Sequence, residues 1–428
     1  MGSEFRNQAP LVRLKGAIQH YAWGGVEFIP SLLGMENPDC KPFAELWIGA
    51  HPNAPAMVET ESGWVPLDRW LRDEDTLDPA RDPAGRPLPY LLKILDAREM
   101  LSIQAHPTKR QAEEGFAREN AAGVPLGAAT RNYKDDNHKP EVHVALTEFW
   151  MLHGFRPIPE IAQVLASTPE FAPVWSEFHE RFANARPAQD EQRSLLRELY
   201  GWLMRLPQDE VDAILDPLIA RIQSQPDPSK DSPDTWAIRA AECFPLPGGH
   251  RDRGIFSIYL LNLVHLHPGE GTYQPAGVLH AYLQGTNVEL MANSDNVLRG
   301  GLTQKHVDVE ELIRTLTFDC GTPTILHRVP ASETERVYPT PASEFELSEI
   351  ELLPDRRHSG VAYKGPTSLI VLGGSGSMTS GADSLSVKRG DIVLAPSGTS
   401  YLIAAGKDGL VVFKAAEPED GASLTEWD

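Results

Sequence analysis

Four side chains on three separated stretches have the types a divalent cation needs. In Leu101-Ser102-Ile103-Gln104-Ala105-His106-Pro107, strand periodicity places Ser102, Gln104 and His106 on one face and Leu101, Ile103 and Ala105 on the other. Lys139-Pro140-Glu141 sets a carboxylate, stiffened by proline, at the mouth of the alternating run Val142-His143-Val144-Ala145-Leu146. His280 follows the turn Gln274-Pro275-Ala276-Gly277. Two imidazoles, one carboxylate and one carboxamide satisfy a borderline ion such as Zn2+, although Gln is outside the usual His, Cys, Asp and Glu set. With one anionic ligand the ion keeps a charge of about +1, enough to polarise a substrate oxygen. Each piece has a plainer reading beside this one: Gln-x-His recurs by chance, and His138 and His143 read as hydrogen-bonded or surface residues rather than ligands.

The elements that must hold these groups are legible around Leu261 to Lys305. Leu261-Asn262-Leu263-Val264-His265-Leu266 alternates as a strand, Pro268-Gly269-Glu270-Gly271 is a tight turn, and the chain returns toward Val278 to Tyr282; a β-hairpin ending at His280 is expected. Beyond it lies a polar run, Ser294-Asp295-Asn296, and then Arg299. A shift of 121 positions superimposes Gly269 on Gly390, Glu270 on Asp391, Pro275 on Pro396, Gly277 on Gly398 and His280 on Tyr401. This repeated G-(D/E)-x4-P-x-G unit resembles a cupin, a double-sheet jelly roll whose inward-facing strand residues can build a metal pocket. His280 against Tyr401 implies one working site and one metal-free barrel.

At 428 residues the chain is long enough for two or three domains, and 41% hydrophobic with 23% charged residues is ordinary for a soluble globular protein. No segment is apolar enough to span a bilayer. A formal charge of -21 repels nucleic acid and anionic lipid, so neither is an expected partner, and a small anionic substrate needs a local basic pocket. Cys40, Cys243 and Cys320 are odd in number and lack C-x-x-C spacing, which points to a reducing cytoplasm rather than to disulfides or thiolate zinc. A monomer is expected.

Along the chain, Met1-Gly2-Ser3-Glu4-Phe5 looks like a cloning scar, and residues 1–10 are expected to carry no fold. In Tyr90-Leu91-Leu92-Lys93-Ile94-Leu95 a lysine interrupts an apolar run; it either points outward from an edge strand or reaches into a polar pocket, because a buried unpaired lysine is costly. Lys109 to Asn120 reads as a solvated helix. Helical periodicity through Ile161, Val164, Leu165, Leu195, Leu199, Leu203, Ile214, Leu218 and Ile222 marks a helical insertion over 158–245 that divides one β-domain into 11–157 and 246–330. Leu246-Pro247-Gly248-Gly249 is expected to mark the return to sheet, Val309 to Leu316 a short helix, and Gly373 to Gly381 a turn-rich stretch inside a metal-free β-domain over 331–428. The fold class is mainly β: two cupin-type jelly-roll units with an α-helical insertion.

Tyr133-Lys134-Asp135-Asp136-Asn137-His138-Lys139-Pro140-Glu141 and the segment from His280 to Lys305 resemble the two signature segments of type I phosphomannose isomerases. Ala44 to Pro52 and Leu95 to Pro107 resemble two further family segments. The second signature departs at Gly300, where Ala is usual, and at Gln304, where Pro is usual. The resemblance implies a zinc enzyme, one ion per chain, that interconverts D-mannose 6-phosphate and D-fructose 6-phosphate through a cis-enediol(ate). It implies Gln104, His106, Glu141 and His280 as ligands, Arg299 as the active-site arginine, and Lys139, Glu289, Tyr282 and Lys305 as pocket residues. Ser102 and Lys93 fall where such enzymes bind the substrate phosphate, with Glu45 and Trp23 on the pocket wall. Glu289, Lys139, Lys305 and a metal-bound water are all admissible as the base. A sugar-phosphate-binding cupin without turnover is the alternative, and a cupin oxygenase with an iron site is a third class.

Overall fold

The computed structural model describes residues 10–73, 88–184, 188–226 and 228–418. Apart from Pro10, the N-terminal stretch read as a scar lies outside them. The described strands form two antiparallel sheets of 11 strands each, and the strand His280–Ala292 organises the one that carries the candidate ligands. Its first residues pair with Ile103–Ala105 and Phe149–Phe155, and its later ones with Tyr90–Ala97 and Glu141–Ala145. One strand can serve two layers because it bends at Gly285. There φ is 123°, and a Cβ would stand 2.5 Å from the Glu148 carbonyl oxygen, so a side chain is excluded.

The 121-residue repeat is structural. Gly269 and Gly390 have φ of 88° and 93°, and Gly277 and Gly398 have φ of 77° and 72°. The backbone N–H groups of His267 and Lys388 donate to Glu270 and Asp391, so the acidic residue of each unit closes the same turn. His280 and Tyr401 open the two long strands, His280–Ala292 and Tyr401–Ala416, and both side chains are buried. The Tyr401 hydroxyl has no hydrogen-bond partner among the described residues. Tyr401→Phe is therefore expected to leave metal content unchanged and to be neutral or stabilising by up to about 1 kcal/mol, since it removes an unsatisfied buried donor. Urea midpoints and metal analysis check this; a clear loss of stability would contradict it.

Three expectations differ from the structure. The strands Leu261–Leu266 and Glu270–Gln274 are not hairpin partners: the first pairs with Phe149–Phe155 and the second with Glu141–Ala145. The turn between them passes the chain from one layer to the other, with the Gly269 N–H donating to the Ala145 carbonyl. Gly373 to Ser380 is no turn region but part of the 14-residue strand Thr367–Ser380, with a turn only from Gly381; its glycines carry register shifts at Val371/Gly373 and Gly374/Gly376 that bend it. After Gly249 the chain does not return directly to sheet but forms the helix Gly254–Leu260, entirely buried, which runs straight into Leu261. The C-terminal sheet also takes Val12–Lys15, Met57–Thr60 and Gly63–Pro66 from the N-terminal segment, through Val12↔Leu394 and Leu14↔Val58, so residues 12–66 serve both sheets.

The helices Ile158–Ser167, Ala172–Asn184, Gln189–Arg205, Gln208–Gln223 and Pro233–Cys243 bury their apolar stripes in one core with Ile103, Ala105, Leu152 and Leu298. The insertion thus backs the strands whose other face carries the candidate ligands. Among the described residues no helix is long and apolar enough to cross a membrane.

Candidate active site

Each candidate ligand is delivered by strand pairing. His280 is the register partner of Gln104, and Gln104 is also the partner of Arg299 on Leu298–Gly301, so these three side chains are neighbours across adjacent strands. Glu141 begins the strand Glu141–Ala145, opposite Met291 and Gln274. His106 lies just past Ile103–Ala105, where its Nδ1 meets the Asn296 carbonyl at 2.7 Å. Asn296 is itself locked to the 134–137 loop: its amide donates to the Asn137 carbonyl at 2.8 Å, and its side-chain oxygen accepts from the Lys134 N–H at 2.7 Å. Asn296 was visible in the sequence only as part of a polar run, yet it joins the two signature segments and orients His106.

His106, Glu141 and His280 converge. His106 Nε2 is 3.4 Å from Glu141 Oε1, His280 Nε2 is 3.5 Å from Glu141 Oε2, and all three residues are buried. Among the described residues neither Nε2 has a hydrogen-bond partner, nor does Glu141 Oε2. Unpaired buried polar atoms are costly, and three facing one another mark a place built for something else. Both Nδ1 atoms face backbone carbonyls, Asn296 for His106 and Val278 for His280, an arrangement that leaves each Nε2 lone pair directed inward. The two Glu141 oxygens face one imidazole each, and one donor atom from each of the three residues lies within 4.8 Å of the other two, close enough to share one ion. The donor set fits zinc. Burial works against the Glu141 charge, but Lys139 at 2.9 Å and the two imidazoles hold its pKa well below the usual carboxylate range.

Beside this set lies a second polar chain. Lys93 is buried on a central strand between Glu45–Ile48 and His280–Ala292, which excludes the outward-pointing alternative. Its ammonium is 2.8 Å from Glu289 and 4.0 Å from Glu45. Burial disfavours the Lys93 charge, but these carboxylates outweigh it and raise its pKa. The Tyr282 hydroxyl donates to Glu289 at 2.6 Å and lies 3.1 Å from His143 Nδ1; burial first, then Glu289, pushes its pKa up. The Trp47 indole donates to Glu45 at 2.5 Å, and burial raises the pKa of Glu45 despite Lys93. Removing the cation strands two buried carboxylates, so Lys93→Met is expected to lower the unfolding free energy by about 3–5 kcal/mol. Adding Glu289→Leu should recover part of that loss in urea titrations; strictly additive losses would show that the pair is not coupled.

Arg299 is of a different kind: among the described residues no carboxylate or hydrogen-bond partner holds its guanidinium. Burial lowers the pKa of Lys305 and Arg299 lowers it further, and Lys134 is likewise lowered by burial and by neighbouring arginines including Arg299. Lys305 also lines an open cavity of about 800 Å3 with Thr303 and Gln304. Ser102 is half-buried with no hydrogen bond among the described residues. Trp23 packs with the apolar cluster of Tyr282 and Phe149 and stacks on Tyr21. Tyr21, exposed and within the electrostatic reach of Glu45 and Lys93, was not found from sequence. His138 pairs with Glu344, and His143 bonds Thr272 and Tyr282, so both are partnered as expected. At Gly300 a Cβ would meet Ile103 Cγ2 and the Tyr200 hydroxyl at 3.1 Å each, so the departure from the family pattern leaves room for a tyrosine of the helical insertion.

Two antiparallel sheets, a repeated long-strand unit and one inward-facing His-Glu-His set define a cupin-type double barrel with its polar site in the first barrel. The chain belongs to the type I phosphomannose isomerase family. The family's catalytic domain matches residues 11–158 and its helical insertion domain residues 174–261. The mannose-6-phosphate isomerase of Escherichia coli (strain K12) is 35% identical over 398 residues, covering 92% of this chain and 97% of that protein. That of Salmonella typhimurium is 39% identical over 342 residues, covering 78% and 82%. A zinc-bound crystal structure of a mannose 6-phosphate isomerase superimposes with a TM-score of 0.81 at 33% identity, covering 96% of this chain and all of that one. The apo form from Salmonella typhimurium gives a TM-score of 0.82 at 32% identity, with the same coverage.

Proposed function

We propose that this chain is a zinc-dependent aldose-ketose isomerase that interconverts D-mannose 6-phosphate and D-fructose 6-phosphate through a cis-enediol(ate). The observation that carries the reading is the pair of buried imidazole nitrogens facing Glu141 without a hydrogen-bond partner among the described residues, with Arg299, which no carboxylate of those residues neutralises, in register beside Gln104. One zinc held by His106, Glu141, His280 and the neighbouring Gln104 supplies positive charge to polarise the substrate's carbonyl and hydroxyl oxygens. The remaining work falls to side chains.

Arg299, adjacent to Gln104 in the sheet, stands where negative charge develops on O1 and O2 and presents donors that cannot lose their charge. Lys305 and Ser102 receive the phosphate. Lys93, placed with the phosphate on family grounds, is already engaged by two carboxylates; its role in this reading is to hold Glu289 in place. Glu289, which also accepts from Tyr282, is assigned the transfer of the proton between C2 and C1, and Lys139 the exchange of protons at the sugar oxygens. The product feeds mannose catabolism or GDP-mannose synthesis. Three free cysteines suit the cytoplasm, where we place the enzyme, as a monomer whose domains follow the boundaries expected above except that Val12–Lys15, Met57–Thr60 and Gly63–Pro66 go with the C-terminal β-domain.

A coupled assay with mannose 6-phosphate, before and after chelation and zinc return, tests the proposal. Turnover that is lost and restored is expected. Tight sugar-phosphate binding without turnover would identify a binding protein instead, and oxygen consumption an oxygenase.

A further inference from the structure

A second convergence of imidazoles and a carboxylate lies on the surface of the same barrel. His265 ends the alternating part of the strand Leu261–Leu266 and His267 follows two positions on, so period two turns both rings to one side. Glu148 precedes the partner strand, in which Phe149 and Trp150 are the register partners of Leu266 and His265. His265 Nε2 is 2.6 Å and His267 Nδ1 3.1 Å from the same Glu148 oxygen, Oε2. The ring centroids are 4.7 Å apart, and one donor atom from each residue lies within 4.8 Å of the other two.

Two further features fix the donors. The His265 ring is stacked on Trp150 at 4.1 Å and 11°, which holds its plane with Nε2 toward Glu148, and its Nδ1 faces Asp231 Oδ1 at 3.8 Å. The stack on Trp150, with one carboxylate 3.8 Å behind Nδ1 and another 2.6 Å before Nε2, keeps the imidazole in one orientation, and an ion entering between Nε2 and Glu148 replaces their direct contact. His267 is set by its backbone N–H, which donates to Glu270 at 2.9 Å as part of the repeated turn. The nearby cation, Lys230, lies over the Trp150 ring and is turned to Gln284 at 2.9 Å. Glu148 and Lys230 also line an open cleft of about 850 Å3, so an ion reaches the set from solvent without any opening of the fold.

We propose that His265, His267 and Glu148 form a second, surface site for a borderline divalent ion such as Zn2+, with Asp231 as the residue that positions His265. Two nitrogens and one oxygen suit Zn2+, Ni2+ or Cu2+, whereas Mg2+ and Ca2+ take oxygen ligands. Three protein donors leave the remaining position to water, and exposure makes this site weaker than the buried one.

The full-length chain, dialysed to equilibrium against increasing free zinc and analysed for bound metal, tests the proposal. His267→Ala and Glu148→Gln are each expected to bind one ion fewer than the unaltered chain, with isomerase activity at low zinc unchanged. Asp231→Asn should keep the ion but hold it about 10-fold to 100-fold more weakly. Co2+ added to protein carrying a single equivalent of zinc should give a visible d–d absorption that His267→Ala lacks. Because the readout is the difference of one ion between chain and variant, it stands whether or not the buried site holds zinc. Equal metal uptake by the unaltered chain and both variants would overturn the assignment, as would a Co2+ spectrum that survives His267→Ala.

Discussion

His280→Ala is expected to purify without its buried zinc and with turnover lowered by at least about 1,000-fold, while its helical content stays intact. The imidazole contributes one of two unpartnered Nε2 atoms, and without it Glu141 and His106 offer a divalent ion only two of the three converging donors. Loss of charge stabilisation at a developing oxyanion is typically worth about 100-fold to 1,000-fold, and here substrate orientation is lost with it. The helices should be indifferent because their core meets Leu279 and Ala281, the neighbours of His280, and not the imidazole itself. Metal analysis together with circular dichroism checks both parts. A variant that retains one tightly bound zinc in the buried site would remove His280 from the ligand set.

Arg299→Ala is expected to lower kcat by about 100-fold to 1,000-fold with a much smaller change in KM. A structural arginine is held by partners, whereas Arg299 has none among the described residues and sits in register with Gln104, half-exposed toward the site. An interaction that strengthens as the enediolate forms appears in kcat, whereas one equally strong in the ground state appears in KM. Solvent-hydrogen exchange at C2 of mannose 6-phosphate should fall in parallel. Normal turnover with only a raised KM would make Arg299 a phosphate anchor and pass the stabilising role to Lys139 or Lys305.

Much of the local structure was legible because it is written in short-range chemistry. Ser102, Gln104 and His106 against Ile103 and Ala105 is a two-residue period, and burial of Ile103 and Ala105 in the helical core follows it. The repeat at 121 residues was carried by two glycine pairs whose positive φ few other residues adopt cheaply, by an acidic pair that closes the same turn in each unit and by a proline pair. The same offset pairs Gly285 with Gly406, where each long strand changes partners.

What failed was partner choice. A turn with the right glycines between two strand-like runs reads as a hairpin, yet Leu261–Leu266 and Glu270–Gln274 enter different layers, because each side chain set finds its complement on another strand. The sharing of Val12–Lys15 with the C-terminal sheet is likewise a pairing across 378 residues, from Arg13 to Asp391, that no local pattern announces. The role of Lys93 was open for the same reason: a lysine in an apolar run is ambiguous until Glu289 and Glu45, 196 and 48 positions away, are seen beside it.

By itself, then, the sequence determined the residue types of the site, the spacing that puts polar groups on one strand face, the glycine-bearing turns of both barrels and the helical stripe that interrupts them. Only the tertiary structure decided which polar groups meet. It brought His106, Glu141 and His280 together with both imidazole Nε2 atoms unpaired, and it satisfied Lys93 while leaving Arg299 without a carboxylate, all among the described residues. The physical reason is range: backbone conformation and burial preference act over a few residues, whereas charge pairing and ligand convergence depend on distances that exist only once separate strands lie side by side.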